Sequence, residues 1–190
     1  MIDFLFKILI MNQINKYTKA IRYTLVICMS LLLSACNLDK TVDYVDIPSY
    51  MGLWYQISAN EVSFNEGLVG VTAEYTLLDD GSVEVINTGY QDTLDGPISQ
   101  IIGNAVVKDT TTNSELKVTF PEVPNFPYPN YLIVLLEENY QYAVVTDPLG
   151  YTLFVLSRTP QLDQATYDQI LSDLAAKEID TSKLLLTPQA

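Results

Sequence analysis

The chain has no histidine. That absence removes the commonest general base and the commonest metal ligand together, and the residues that remain nominate no catalytic group and no metal site. Cysteine is nearly missing as well. Of the two present, Cys28 lies in an apolar segment that export would remove. Cys36 is then left alone, which excludes an intramolecular disulfide. Positive charge is scarce: 10 Lys and Arg stand against 23 Asp and Glu. Four of the basic residues (Lys7, Lys16, Lys19, Arg22) precede Cys36, but only Asp3 of the acids does. From Cys36 onward the chain carries 6 basic and 22 acidic residues, a balance of −16. Such a surface repels nucleic acid and anionic headgroups, so no nucleic-acid partner is expected. Tryptophan occurs once, at Trp54.

What is present begins with an address. Lys16, Lys19 and Arg22 precede the apolar run Tyr23–Leu33, 11 residues long. A spanning helix takes about 20 residues, whereas a signal-peptide core is shorter. Leu33-Ser34-Ala35-Cys36 then resembles the lipobox of bacterial lipoproteins. Residues 1–35 are read as the signal peptide, with Met11 as an alternative start. Cys36 is the lipidation site: its thiol takes diacylglycerol and its freed amine a further acyl chain, and two chains anchor stably where one is marginal. Asn37 at the next position suggests, by the same resemblance, the outer membrane, facing the periplasm. Residues 36–49 read as the lipidated N-terminus and a polar tether, and residues 50–190 as one domain.

Within that domain the composition favours strands: 48% of the chain is hydrophobic and it holds 13 Tyr. Eight strand-like runs separated by turn signals lie at about 52–60, 70–78, 82–90, 98–108, 114–120, 130–137, 141–147 and 151–158. Asp79-Asp80-Gly81 and Pro148-Leu149-Gly150 mark tight turns, and the proline-rich stretch Pro121–Pro129 marks a rim loop. After Thr159-Pro160 the period changes. Tyr167, Ile170, Leu171 and Leu174 recur at helical spacing behind Asp163, a helix N-cap. A short strand follows at 182–187. The fold class is therefore all-β: an eight-stranded up-and-down antiparallel barrel with an α-helix packed outside and a short final strand. A sandwich fits less well, because every neighbour is reached by a short turn.

These segments carry a resemblance. Gly52-Leu53-Trp54-Tyr55 resembles the lipocalin G-x-W-Y motif. Thr146-Asp147, followed by Tyr151, is similar to the second lipocalin motif with an insertion, and Leu156-Ser157-Arg158-Thr159-Pro160 resembles the third. Val71-Thr72-Ala73-Glu74-Tyr75 and Val85-Ile86-Asn87-Thr88-Gly89-Tyr90 resemble bacterial outer-membrane lipocalins, relatives of apolipoprotein D. The resemblance spans about Tyr50 to Leu186. It implies that Gly52, Trp54 and Arg158 close one end of the barrel, with the Arg packed across the indole, a contact worth roughly 0.5–2 kcal/mol. One departure stands out. Ser63-Phe64-Asn65-Glu66-Gly67 lacks the Arg usual before that stretch, so a neutral or zwitterionic lipid suits the mouth better than a free carboxylate does.

The family's alternation implies an inward set of Ala73, Tyr75, Val85, Asn87, Gly103, Ala105, Leu116, Val118, Phe120, Tyr131, Ile133, Leu135, Ala143, Val145, Thr152, Phe154 and Leu156. The ligand-binding candidates among them are Ala73, Tyr75, Val85, Asn87, Ala105, Val118, Phe120, Tyr131, Ile133, Val145 and Phe154. Small residues would leave room for an acyl chain, while Asn87 and the Tyr75 and Tyr131 hydroxyls would orient a headgroup. The expected function is an outer-membrane-anchored carrier of a small hydrophobic ligand, a lysophospholipid or fatty acid, in envelope lipid storage, transport or maintenance. It needs no cofactor and is not an enzyme. Two alternatives stay open: a ligand-free envelope lipoprotein acting through protein contacts, and a lipocalin-fold enzyme. A homodimer stays open too.

Overall fold

Apolar residues alternating with polar ones at period two force a half-buried strand, and successive short turns force each strand back along its predecessor. A computed structural model describes residues 40–190 apart from 122 and 126. The signal segment 1–35, Met11 and Cys36 lie outside the described residues. In order come α1 (Ile47–Tyr50), β1 (Gly52–Asn60), β2 (Leu68–Leu77), β3 (Val83–Gln91), β4 (Ile98–Val107), β5 (Glu115–Thr119), β6 (Tyr131–Leu136), β7 (Tyr142–Thr146), β8 (Leu153–Ser157), α2 (Gln164–Ala176) and β9 (Leu184–Leu186). Each strand from β1 to β8 pairs antiparallel with the next. β8 returns to β1, so the sheet closes on itself. This is the expected eight-stranded barrel. Closure satisfies the backbone edges that an open sheet would expose.

Two cores result. Inward side chains, among them Trp54, Tyr75, Val85, Ile133, Val145 and Leu156, fill the barrel. Outward side chains of β6–β8 (Val134, Val144, Leu153, Val155) meet Ile170 and Leu174, which are fully buried on α2. The helix starts where the Asp163 carboxylate accepts the Thr166 N–H and hydroxyl. Tyr167 pins it to the barrel by donating its hydroxyl to Ser58 Oγ.

Three details differ from the expectation. First, the compact unit begins at Thr41, not Tyr50. Val42 N–H bonds the Ile133 carbonyl, Val45 N–H bonds the Thr112 carbonyl, and Val45 is fully buried. Most of the stretch read as tether therefore packs across the closed end, because its few apolar residues find core to join. Second, a bulge at Val134 shifts the β6–β7 register between Ile133 and Leu135. Leu135 consequently joins the outer core and Leu136 the inner one, since a one-residue insertion flips every later side chain. Third, Thr152 is not on β8. It lies in the preceding loop, where its N–H and hydroxyl both bond the Asp147 carboxylate.

β1 is shared along its length. Its first residues pair with β2 (Gly52↔Tyr75 through Tyr55↔Thr72), and its last pair with β9 (Ser58↔Leu186 through Asn60↔Leu184). Between them β1 and β2 part. The tail segment fills the gap: Thr187 N–H bonds the Ile57 carbonyl, Gly70 N–H bonds the Pro188 carbonyl, and Gln189 Nε2 donates to the carbonyls of both Gln56 and Val71.

Candidate ligand-binding barrel interior

The closed end is built around one indole. Trp54, fully buried, donates Nε1–H to the Tyr50 carbonyl at 2.9 Å. The Arg158 guanidinium carbon lies 3.8 Å from the indole centroid. All three nitrogens of that group are used: Nε donates to the Tyr140 carbonyl, Nη1 to Leu53, and Nη2 to Ser49 and Tyr50. Gly52 makes the approach possible. Its φ is +94°, which L side chains rarely adopt, and a Cβ there would stand 3.4 Å from Arg158 Nη1. Arg158 thus packs against both Trp54 and Gly52 at this end. The Asp46 carboxylate caps α1 on the Ser49 N–H, and the Tyr140 hydroxyl accepts the Asp46 N–H.

Above the indole three tyrosines form a floor. Tyr50 lies 5.0 Å from Trp54 and stacks on Tyr75, centroid to centroid 5.8 Å. The Tyr131 hydroxyl is 2.8 Å from that of Tyr50 and 3.0 Å from that of Tyr75. Burial raises all three phenols above their ordinary pKa, Tyr75 to about 12. They stay protonated at neutral pH. Two hydrogen bonds use two of the three hydroxyl protons, so one donor is left at the floor.

The floor borders a void of about 20 Å³, lined by the three tyrosines and by Ile47, Met51, Val83, Val85, Ala105, Leu116 and Val118. That is the room of one or two waters, against roughly 300–1,000 Å³ for an ordinary small-molecule site. Of the predicted set, Ala73, Tyr75, Val85, Ala105, Ile133 and Val145 are buried in the core inside the barrel. Val118, Phe120, Tyr131 and Phe154 pack beside them while partly exposed, and half-buried Asn87 pairs with Ala73 and Ile101. The space that small inward residues were expected to leave is not free at Gly103. The Phe120 ring lies there, close enough that a Cβ on Gly103 would stand 2.5 Å from it.

The residues that sequence reasoning missed are Tyr50, Val45, Ile47 and Met51. Their signal was present but faint: apolar residues spaced through an acidic stretch directly before the G-x-W-Y motif. Among the described residues no cluster of acidic or thiol side chains suits a metal ion.

Comparison with known proteins agrees with this geometry. The lipocalin-like domain family matches residues 45–189, from the buried Val45 to the bridging Gln189. The outer membrane lipoprotein Blc of Vibrio cholerae is 34% identical over 170 residues, covering 87% of this chain and 96% of that protein. Mouse apolipoprotein D is 29% identical over 165 residues, covering 83% and 84%. Among solved structures, insecticyanin from the tobacco hornworm superposes with a TM-score of 0.63 at 18% identity, over 79% of this chain and 84% of that one, a likeness of fold. With the barrel, its Arg-capped indole and its matched span in place, the chain belongs to the lipocalin family, beside the bacterial outer membrane lipoproteins and apolipoprotein D.

Proposed function

We propose that this lipocalin is a lipid carrier of the cell envelope. It is held at the outer membrane, facing the periplasm, by acyl chains on Cys36, and it carries a lysophospholipid or fatty acid for lipid storage, transport or maintenance. The observation that supports the reading is the gradient inside the barrel. An apolar wall of Val118, Phe120 and Phe154, partly exposed and joined by polar Asn87, stands above a buried floor with one hydrogen-bond donor to spare. An acyl chain fits the wall and an acceptor group fits Asn87 or the floor. The small void sets the condition: the ligand seats in the open half and goes deeper only as the Phe120 ring swings off Gly103. The connections β1–β2, β3–β4, β5–β6 and β7–β8, at the end of the barrel away from Trp54, carry no Lys or Arg, which favours a zwitterionic headgroup over a bare carboxylate.

The same small void favours a second reading, a filled barrel that acts through its surface. One titration separates the two. Delipidated chain carrying Cys36→Ser is titrated with lysophosphatidylethanolamine and with oleate, followed by native mass and by Trp54 emission. A saturable one-to-one complex, stronger with the lysolipid, supports the carrier. A folded barrel with no saturable complex sinks it, and the native mass also reads whether one copy or two is present.

A further inference from the structure

The seam where β1 and β2 part also leaves space. A cleft of about 280 Å³ opens there, against about 20 Å³ above the tyrosine floor. That puts it near the lower limit of an ordinary small-molecule site. Its lining comes from four stretches of chain: β1 with the loop after it, the first residues of β2, Asp92 just after β3, and the tail. None of these residues lines the void above the floor, and none belongs to the predicted ligand-binding set. The cleft is therefore a different place from the barrel site described above.

Part of the lining is apolar. Ala59 is buried on β1, Leu68 and Val69 are half-buried on β2, and Leu185 and Leu186 are exposed on β9. The rest is rich in acceptors. Gln56 is 7% exposed, and its Nε2 donates to Thr187 Oγ1 at 2.7 Å. Its Oε1 accepts no hydrogen bond among the described residues. A buried amide oxygen in that state calls for a donor. Asp92 is set beside Gly67: its N–H donates to the Gly67 carbonyl at 2.8 Å, and a Cβ on Gly67 would stand 3.2 Å from Asp92 Oδ1. That oxygen takes one bond, from Gln91 Nε2 at 3.2 Å, which leaves Oδ2 available. Glu61 adds a second carboxylate.

These groups select an occupant by charge and by shape. No Lys or Arg lines the cleft, so an anion meets carboxylates and no countercharge. An ammonium group is attracted instead, and it brings the donors that Gln56 Oε1 and the two carboxylates lack. The apolar lining suits a hydrocarbon body, and the volume suits a single short chain.

We infer that the cleft at the β1–β2 seam is a second ligand site, taking a small amphiphile with an ammonium head and a short apolar body. The inference is independent of the carrier reading, which concerns the barrel interior. The full chain carrying Cys36→Ser is titrated with n-octylammonium and with n-octanoate, followed by backbone amide shifts. Octylammonium binds saturably. The shifts gather at Gly67–Val69, Asp92 and Leu185–Thr187, while the Trp54 indole N–H stays in place. Octanoate, equal in chain length and opposite in charge, binds about tenfold more weakly or not at all. Glu61→Gln with Asp92→Asn weakens octylammonium about five- to tenfold. Asn tolerates the left-handed backbone of Asp92, φ 64°, so this variant keeps the wild-type melting temperature. Glu138→Gln with Asp168→Asn removes the same charge from exposed positions elsewhere and leaves binding unchanged. Saturating lysophosphatidylethanolamine does not displace the amine. No saturable binding, equal affinity for octanoate, no loss in the cleft variant, or an equal loss in the control overturns the inference. Shifts centred on Trp54 and the tyrosine floor, or displacement by the lysolipid, also overturn it, because they put the amine in the barrel and leave the carrier reading intact. A chain that binds the amine at the cleft and takes up no lysolipid keeps this inference and sinks the carrier.

Discussion

Arg158 shows how much a single side chain can fasten when its shape matches its setting. Its planar fork reaches carbonyls on the segment before β1, on β1 itself and on the β6–β7 turn, while its face covers Trp54. A lysine keeps the charge but has neither the fork nor the flat face. Arg158→Lys is expected to destabilise the barrel by about 2–4 kcal/mol in urea unfolding and to shift Trp54 emission. An unchanged midpoint would refute the fastening role. Tyr131 is the hub of the floor, and Tyr131→Phe strands the hydroxyls of Tyr50 and Tyr75, at a cost of about 1–3 kcal/mol. The floor also sets an alkaline limit. The folded phenols hold their protons more tightly than unfolded ones do. Their contribution is whole below pH about 10 and is lost as pH rises through the folded value, about 12 for Tyr75. Stability followed against pH should fall across that window, and Tyr131→Phe should alter that fall. A flat profile to pH 12 would contradict the buried floor.

At the scale of elements, the seam between β1 and β2 is paired only over Gly52–Tyr55 and is bridged beyond that by the tail of the chain. Deleting residues from Leu184 onward removes β9 and every bond that bridges Gln56–Ile57 to Gly70–Val71. Amide exchange should then rise at Ser58–Asn60 and Gly70 while Leu53–Tyr55 stays protected by β2. A uniform rise along β1 would mean that the tail supports the whole barrel and not the seam. The elements were legible in the sequence for a physical reason. Runs rich in strand-forming residues, most of them ended by Gly, Pro or Asp, leave little choice of strand or turn, although the sixth and eighth are apolar on both faces, and the change of period after Pro160 announces α2. What escaped were features with no period. The Val134 bulge changes the facing of Leu135 without changing any residue's preference for a strand. Phe120 fills the space over Gly103, which an inward list alone does not reveal. Gln189 is one polar residue whose value depends on two carbonyls brought together by closure. The Trp54–Arg158 pairing came through resemblance, not through periodicity.

At the scale of the molecule, acidity and position work together. The strongly negative balance from Cys36 onward, 6 basic against 22 acidic residues, disfavours anionic partners. Cys36→Ser should move the protein from the membrane to the soluble fraction of the envelope with the barrel intact, read by fractionation and by an unchanged far-ultraviolet spectrum. A variant that stays with the membrane would place the anchor elsewhere. The shared strand β1 has one more consequence, for synthesis. It is the first strand made, yet its partners at Phe154–Ser157 and Leu184–Leu186 are made about a hundred or more residues later. Its edge must wait for β8 and β9, and contacts at that separation form slowly. The pairing that seals the barrel therefore cannot form until nearly the whole domain has been made, so the chain stays open through most of its own synthesis.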